Sequence, residues 1–152
     1  MNTSLQNPVA LAGRVLLAAM FVIAGFGKIA NFAGTVGYMQ SQGVPAASAL
    51  AVLAILAEVG GGIALIVGFQ TRLAALGLAI FTLIASLIFH PFWSLPAAEQ
   101  MVPQLLFMKN VSIIGGLLVV AAFGAGRWSL DAARGAFGAE RPGAASAQLQ
   151  RG

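Results

Sequence analysis

Cysteine is absent from the chain, and histidine occurs once among its 152 residues, at His90. The lack of thiols excludes disulfides, thiol redox chemistry, iron–sulfur clusters and cysteine-ligated zinc. A single histidine also excludes a bis-histidine haem within one chain. Charged residues are scarce too, at 8% of the chain against 59% hydrophobic residues. Because so few charges cannot cover a water-facing surface, we expect a lipid bilayer to surround most of the protein.

Motifs that signal catalysis or nucleic-acid binding are also missing. The net charge of +4 is not gathered into a basic run, so we expect no nucleic-acid partner. The sequence contains no nucleophile–base pair, phosphate-binding loop or dinucleotide fingerprint. We therefore predict no autonomous enzyme and no metal site, and the residue pattern assigns no catalytic residue.

The stretch 46–69 is long enough to cross a bilayer and carries one charge, Glu58, near its middle. At the helical rise, Glu58 lies roughly 15–18 Å from either end, close to the midplane. An ionised carboxylate there costs about 3 kcal/mol, so a partner must offset the cost or a function must use it. Gly60, Gly61 and Gly62 follow and allow another helix or a ligand to approach the backbone.

Three further apolar stretches complete a predicted all-α fold. We expect spans at 9–29, 46–69, 73–89 and about 104–123. The turn between the second and third spans is so short that these helices must be antiparallel neighbours. The sequence therefore predicts an integral-membrane four-helix bundle with antiparallel spans in one domain, 9–131. We expect polar connections at 30–45, with short helical turns, and at 94–103. We also expect an N-terminal tail at 1–8, with a helix start at Asn7 and Pro8, and a disordered tail at 132–152.

Basic residues indicate the orientation of the bundle. When each basic residue is assigned to the nearer end of its span, six lie on the side of the bundle with the chain termini and two lie on the other side. The six are Arg14, Arg72, Arg127, Arg134, Arg141 and Arg151, and the two are Lys28 and Lys109. This bias predicts that both termini are cytoplasmic.

Depth along the bundle predicts a polar site. Arg14 enters from one side and Lys109 with Asn110 from the other, each leaving a gap of about 8–10 Å to Glu58 that long side chains can largely cover. We therefore predict a candidate intramembrane site of Arg14, Glu58, Lys109 and Asn110, with the carboxylate between two cations. Three alternatives stay open: the cluster only fixes helix packing, Arg14 snorkels to the surface, or Lys109 is interfacial on a short or tilted segment. Lys28 is interpreted as a snorkelling residue at a helix end.

Several short motifs, in order along the four spans, resemble one family. The first span has Arg14, Phe21, Gly25 and Lys28, and the second has Glu58 and Gly62 followed by Gly-Phe-Gln-Thr-Arg-Leu-Ala-Ala at 68–75. The fourth has Phe-Met-Lys-Asn at 107–110 and Gly-Gly at 115–116, and Gly-Arg-Trp-Ser-Leu-Asp follows at 126–131. Over about residues 11 to 131 the chain resembles the DoxX family of small four-helix bacterial membrane proteins.

The resemblance implies a multi-pass protein of the bacterial inner membrane. It also implies an accessory or anchor subunit of a membrane oxidoreductase, with a cytoplasmic redox protein as partner and Arg14, Glu58 and Lys109 as the site. The cofactor most compatible with this chain is a quinone, because it needs no ligand atoms. Two other functions stay open: a structural or assembly protein without ligand, which could include a homo-oligomer, and a small proton-linked transporter that uses Glu58.

Overall fold

The computed structural model describes residues 3–139, and most of them are helical. Within this range the α-helices are, in chain order, α1 (Thr3–Ala30), α2 (Phe32–Ser41), α3 (Ala47–Ile55), α4 (Gly61–Val67), α5 (Thr71–Phe89), α6 (Met101–Phe123) and α7 (Leu130–Ala139). A π-helical segment, Leu56–Gly60, joins α3 to α4. Single 3-10 turns at Phe92–Ser94 and Ala97–Glu99 lie between α5 and α6.

Four helical stretches are long and apolar enough to cross a membrane. They are Leu5–Ala30, Ala47–Val67, Thr71–Ser94 and Met101–Phe123, and no residue from 3 to 139 forms a strand. The predicted all-α membrane fold with four spans is therefore confirmed. The second and third spans are joined by a tight turn in which Gly68 has φ 70°. This left-handed conformation is one that glycine adopts without strain, and Ser129 packs directly against it.

The first and last helices extend beyond their predicted limits. α1 begins at Thr3 rather than at the predicted start near Asn7, since Pro8 removes only one backbone hydrogen bond close to the helix end. At the other end, residues 132–139 of the predicted disordered tail belong to α7. Ser129 caps this helix, because its Oγ accepts from the Ala132 N–H at 3.2 Å. Residues 1–2 and 140–152 of the two predicted tails lie outside the described residues.

The predicted polar connection 30–45 contains a full helix, α2. Asn31 is its N-cap and accepts a hydrogen bond from the Gly34 N–H at 3.2 Å. Met39 of α2 is buried against Ala47 and Ala51 of α3. Capping and this apolar contact stabilise a helix that hydrophobicity alone did not predict.

Packing differs between the two halves of the bundle. The half that contains residues 5–21, 61–80 and 111–135 is called the closed half. It holds the larger core cluster, made of Ala18, Phe21, Leu65, Ala75, Leu78, Ala79 and Leu117. The other half, the open half, comprises residues 22–60 and 81–110 and holds only the small cluster around Met39. The Arg127 N–H donates to Asn7 Oδ1 at 3.4 Å, so the described chain ends meet at one end of the bundle.

Candidate intramembrane site

Glu58 lies in the π-helical segment between α3 and α4 and is only 5% exposed. A π-helical turn contains an extra residue, so it shifts the side chains that follow it around the helix axis. Gly60 and Gly61 sit at the end of this segment and offer little steric resistance to the irregular backbone. The one acidic residue of the span is therefore placed at a break in the helix, where π-helical turns often mark a functional site.

Lys28 is the ionic partner of Glu58. Its Nζ donates to both carboxylate oxygens, each at 2.8 Å. The Lys28 side chain is 30% exposed and that of Glu58 is 7% exposed. Lys28 therefore reaches inward from the last turn of α1, which corrects its interpretation as a snorkelling residue. An ion pair with both oxygens engaged offsets part of the free energy of burying the two charges.

Two glycines allow α1 to approach this segment closely. A Cβ atom added at Gly25 would lie 2.6 Å from Val59 Cγ2 and 3.3 Å from Glu58 Cβ. A Cβ atom at Gly62 would lie 2.7 Å from Val22 Cγ2. Such small residues at helix crossings are the usual means of close packing in membranes. Gly25 is one turn before Lys28, so this contact sets the position of the ion pair.

Arg14 is buried, at 2% exposure, but its partners are backbone carbonyls in the closed half. Its guanidinium donates to the carbonyl of Ala125, to that of Trp128 at 2.9 Å and to that of Ile66 at 3.3 Å. Arg14 thus has buried partners and does not snorkel to the surface. These partners join α1 to the end of α4 and to the segment after α6.

Lys109 and Asn110 do not reach Glu58 either. Lys109 is exposed on the surface of α6, whereas Asn110 Nδ2 donates to Ser86 Oγ of α5 at 2.9 Å. Consecutive residues point about 100° apart around a helix, and here Asn110 faces α5 while Lys109 lies on the outside of the bundle. The structure therefore separates the four predicted site residues, and the ion pair that it gives Glu58 is with Lys28.

Ser86 links α5 to α6 as well as to its own backbone. Its Oγ donates to the Thr82 carbonyl at 2.6 Å, and Thr82 Oγ1 donates to the Leu78 carbonyl at 2.7 Å. Both hydroxyl-bearing residues are buried on the face of α5 that meets α6. The prediction that Thr82 and Ser86 share a face, bonding to their own backbone or to a neighbour, is confirmed.

The ion pair lies at the wall of a cavity of about 550 Å³ in the open half. Lys28 and Glu58 supply the charged groups of its lining, and Thr35, Tyr38 and His90 supply further polar atoms. The remaining lining residues are apolar and come from α2, α3 and α5 and from the residues that adjoin them. A cavity of this size and composition suits a small apolar molecule with a few polar atoms. Among residues 3–139, no group of three or more metal-ligating side chains is present.

The opposite end of the bundle contains a second polar arrangement. Asp131 accepts the N–H groups of Gln70 at 2.8 Å and Thr71 at 2.9 Å, so it caps the start of α5. Burial by itself would raise the pKa of Asp131. The hydrogen bonds from Thr71 and Gln70, together with the charge of Arg134, outweigh burial and hold the pKa below its ordinary value. Asp131 is therefore engaged in holding the fold.

Lys28 was not predicted as the partner of Glu58. Depths along straight helices place Lys28 at the membrane surface. The usable signal was Gly25, because a glycine one turn before a lysine lets a second helix approach the lysine stem. The π-helical turn itself has no sequence signature here beyond the glycines that follow Glu58.

The family model DoxX matches residues 9–91, which span the first three membrane helices. The chain is 42% identical to the inner membrane protein YqjF of Escherichia coli, over 84% of this chain and 92% of that protein. It is 38% identical to the inner membrane protein YphA of the same organism, over 80% of this chain and 86% of that protein. A Surfeit locus protein 4 homolog of Drosophila melanogaster is 30% identical, over 83% of this chain and 41% of that protein. No solved structure matches the chain at a significant level.

Proposed function

Because the chain belongs to the DoxX family and is a multi-pass inner-membrane protein, we propose that it holds a quinone as an accessory or anchor subunit of a membrane oxidoreductase. The observation that carries the proposal is the Lys28–Glu58 pair at the wall of an apolar cavity of about 550 Å³. A buried ionisable pair in a membrane span is a functional hypothesis by default, and the cavity gives it something to act on.

The donor set of the cavity fits a quinone head. An ammonium group has three N–H donors, and Lys28 directs two hydrogen bonds at Glu58, so it retains donor capacity for a ligand carbonyl. Each Glu58 oxygen keeps a free lone pair that can accept from a ligand hydroxyl. When bound, a quinone supplies an acceptor for electrons and protons. The protein residues would orient the head through these hydrogen bonds and exclude water from it.

The redox partner would dock at the end of the bundle where the chain ends meet. Arg72, Arg127 and Arg134 are exposed there, and the excess of basic residues supports a cytoplasmic position for this end. A partner with an acidic surface would fit this end. Because quinones diffuse in the bilayer, the docked partner and the cavity need not lie at the same face of the membrane.

A proton-linked transporter that uses Glu58 is less well supported. Such a carrier needs a carboxylate that binds and releases protons during each cycle. Here both oxygens of Glu58 accept from Lys28, and this ion pair opposes a change in the protonation of either group.

Purification from native membranes in mild detergent, with bound quinones identified by mass spectrometry, tests the proposal. We expect quinone with the wild-type protein and about tenfold less with Glu58→Gln or Lys28→Gln. Lys109→Gln is the matched control, because it removes an exposed charge in the same half, and it should retain the quinone. Quinone no higher than the membrane background in the wild type would contradict the proposal.

The same preparation tests the partner. A dehydrogenase, oxidase or sulfurtransferase in fixed ratio to the protein would support the subunit role. Arg72→Gln combined with Arg134→Gln should weaken that association while leaving bound quinone unchanged. Purification of the bare protein from fresh membranes would count against an accessory role.

A further inference from the structure

The cavity has an open side that faces the bilayer. Helix α5 packs against residues 56–67, and the cavity lies between α3 and the second half of α5, both of which line it. We call the side of the cavity between these two helices the gap. Leu53 of α3 and Ile84 of α5 both line the cavity and are exposed, at 58% and 52%. These apolar rim residues lie on spans that cross the membrane, so lipid chains are the medium outside the gap.

Helix α2 covers one end of the cavity. Met39 of α2 is buried against α3. Tyr38 stacks on Phe89 of α5, with ring centroids 5.6 Å apart and an interplanar angle of 26°. The stack joins α2 to the end of α5, so the covered end and the open side are distinct.

The cavity is also too small for a whole long-chain lipid. About 550 Å³ is the volume of a site for a drug-sized molecule, which bounds the occupant to a head and a short piece of chain. Any longer apolar tail has to leave through the side of the cavity. The gap between α3 and α5 is lined by apolar residues of two membrane spans, so the tail can leave through it into the lipid.

We propose that the ligand enters sideways from the bilayer between α3 and α5, and that it is an amphiphile with a long apolar tail. Its polar head reaches Lys28 and Glu58, while the tail stays between Leu53 and Ile84 and continues into the lipid. The proposal rests on the proposed function, because it names the entry path and the tail of the molecule held in the same cavity.

The absence of cysteine allows a reversible block of the gap. Ile84→Cys places one thiol on the rim, and a bulky methanethiosulfonate reagent attached in detergent fills the gap until a reductant removes it. Leu83→Cys is the matched control, since Leu83 is the neighbouring residue, is 45% exposed and does not line the cavity. The ligands are a benzoquinone with a decyl tail and the same ring with a methyl group in its place, titrated into nanodiscs.

We expect the label at position 84 to weaken binding of the tailed quinone by about tenfold, with recovery after reduction. The tail-free quinone should bind labelled and unlabelled protein alike, and the label at position 83 should change neither. Unchanged binding of the tailed quinone to protein labelled at 84 would overturn the entry path while leaving quinone binding intact. Equal loss of both ligands would overturn the tail assignment, because the label would then occupy the head site. Failure of the unlabelled protein to bind either quinone would overturn the proposed function itself.

Discussion

The closed and open halves of the bundle each contain a cation within a membrane span, buried Arg14 and half-buried Lys28, and the two cations have different kinds of partner. In the closed half, Arg14 donates to three carbonyl oxygens of two separate segments, next to a continuous apolar core. In the open half, Lys28 pairs with one carboxylate beside a cavity and a gap between helices. Backbone carbonyls that accept from a buried guanidinium are fully engaged, whereas an ammonium and a carboxylate beside a cavity retain donor and acceptor capacity for a ligand. The closed half therefore holds the fold, and the open half contains the candidate site.

Removal of Arg14 should break the closed half. Arg14→Met leaves the carbonyls of Ala125, Trp128 and Ile66 without their charged donor. Because hydrogen bonds from a charged group are worth about 1.5–3 kcal/mol each, we expect about 4 kcal/mol lower free energy of unfolding. Unfolding by denaturing detergent measures the change. Arg127→Met serves as control and should change it by less than about 0.5 kcal/mol. A loss as small for Arg14→Met would mean that this guanidinium does not join the segments.

Lys28→Gln should break the ion pair in the open half. It leaves Glu58 buried without its partner, so we expect the free energy of unfolding to fall by about 3 kcal/mol. The double variant Lys28→Gln/Glu58→Gln should recover most of that loss, because no unpaired charge remains. The same detergent titration measures both. If Lys28→Gln/Glu58→Gln were no more stable than Lys28→Gln, the pairing would be doubtful.

Two glycines on α1 in the open half, Gly25 and Gly27, differ in how closely another segment approaches them. Gly25→Ala brings a Cβ to within 2.6 Å of Val59, whereas a Cβ at Gly27 meets nothing within 4 Å. We expect Gly25→Ala to lower the free energy of unfolding by about 2 kcal/mol and to reduce quinone retention, because α1 must move away from Glu58. Gly27→Ala should change neither quantity. Equal behaviour of the two variants would contradict the close approach of α1 to the π-helical segment.

Asp131→Asn should produce the smallest effect and one that depends on pH. Loss of the cap on α5 should lower the free energy of unfolding by about 1 kcal/mol at neutral pH. The pKa of Asp131 is lower in the folded protein than its ordinary value. Its contribution is therefore complete above an unfolded pKa of about 3.9 and is lost as the pH falls through the folded value.

The difference between wild type and Asp131→Asn should accordingly shrink as the pH falls into the acid range. Detergent unfolding at neutral and acid pH measures it. Glu99→Gln, which removes an exposed carboxylate in the loop before α6, is the control and should change the free energy of unfolding by less than about 0.5 kcal/mol. A difference that does not change with pH would show that the charge of Asp131 has no part in the cap.

Much of the fold could be predicted from the sequence because hydrophobicity is read over long windows. The four spans, their antiparallel order at the turn 70–72 and the burial of Glu58 all depend on that signal. Helix α2 could not be predicted in the same way. Its formation depends on the Asn31 cap and on Met39 contacting α3, which are a local and a tertiary interaction.

The site was only half predictable for a related reason. Glu58 was identified by the free-energy cost of placing a charge in the membrane, which depends on the residue and on its depth. Its partner depends on how far α1 approaches the π-helical segment, and this distance is set by Gly25 and Val59 in three dimensions. Straight-helix depths favoured Arg14 and Lys109, while side-chain direction excludes Lys109 and carbonyl oxygens engage Arg14.

Quinone affinity measured in nanodiscs for one variant from each half tests the division of roles most directly. Glu58→Gln alters the cavity of the open half, whereas Asp131→Asn weakens the closed half without touching that cavity. The account predicts about tenfold weaker quinone binding for Glu58→Gln and wild-type affinity for Asp131→Asn in its folded fraction. Equal affinities of Glu58→Gln and the wild type, or an equal loss in both variants, would contradict it.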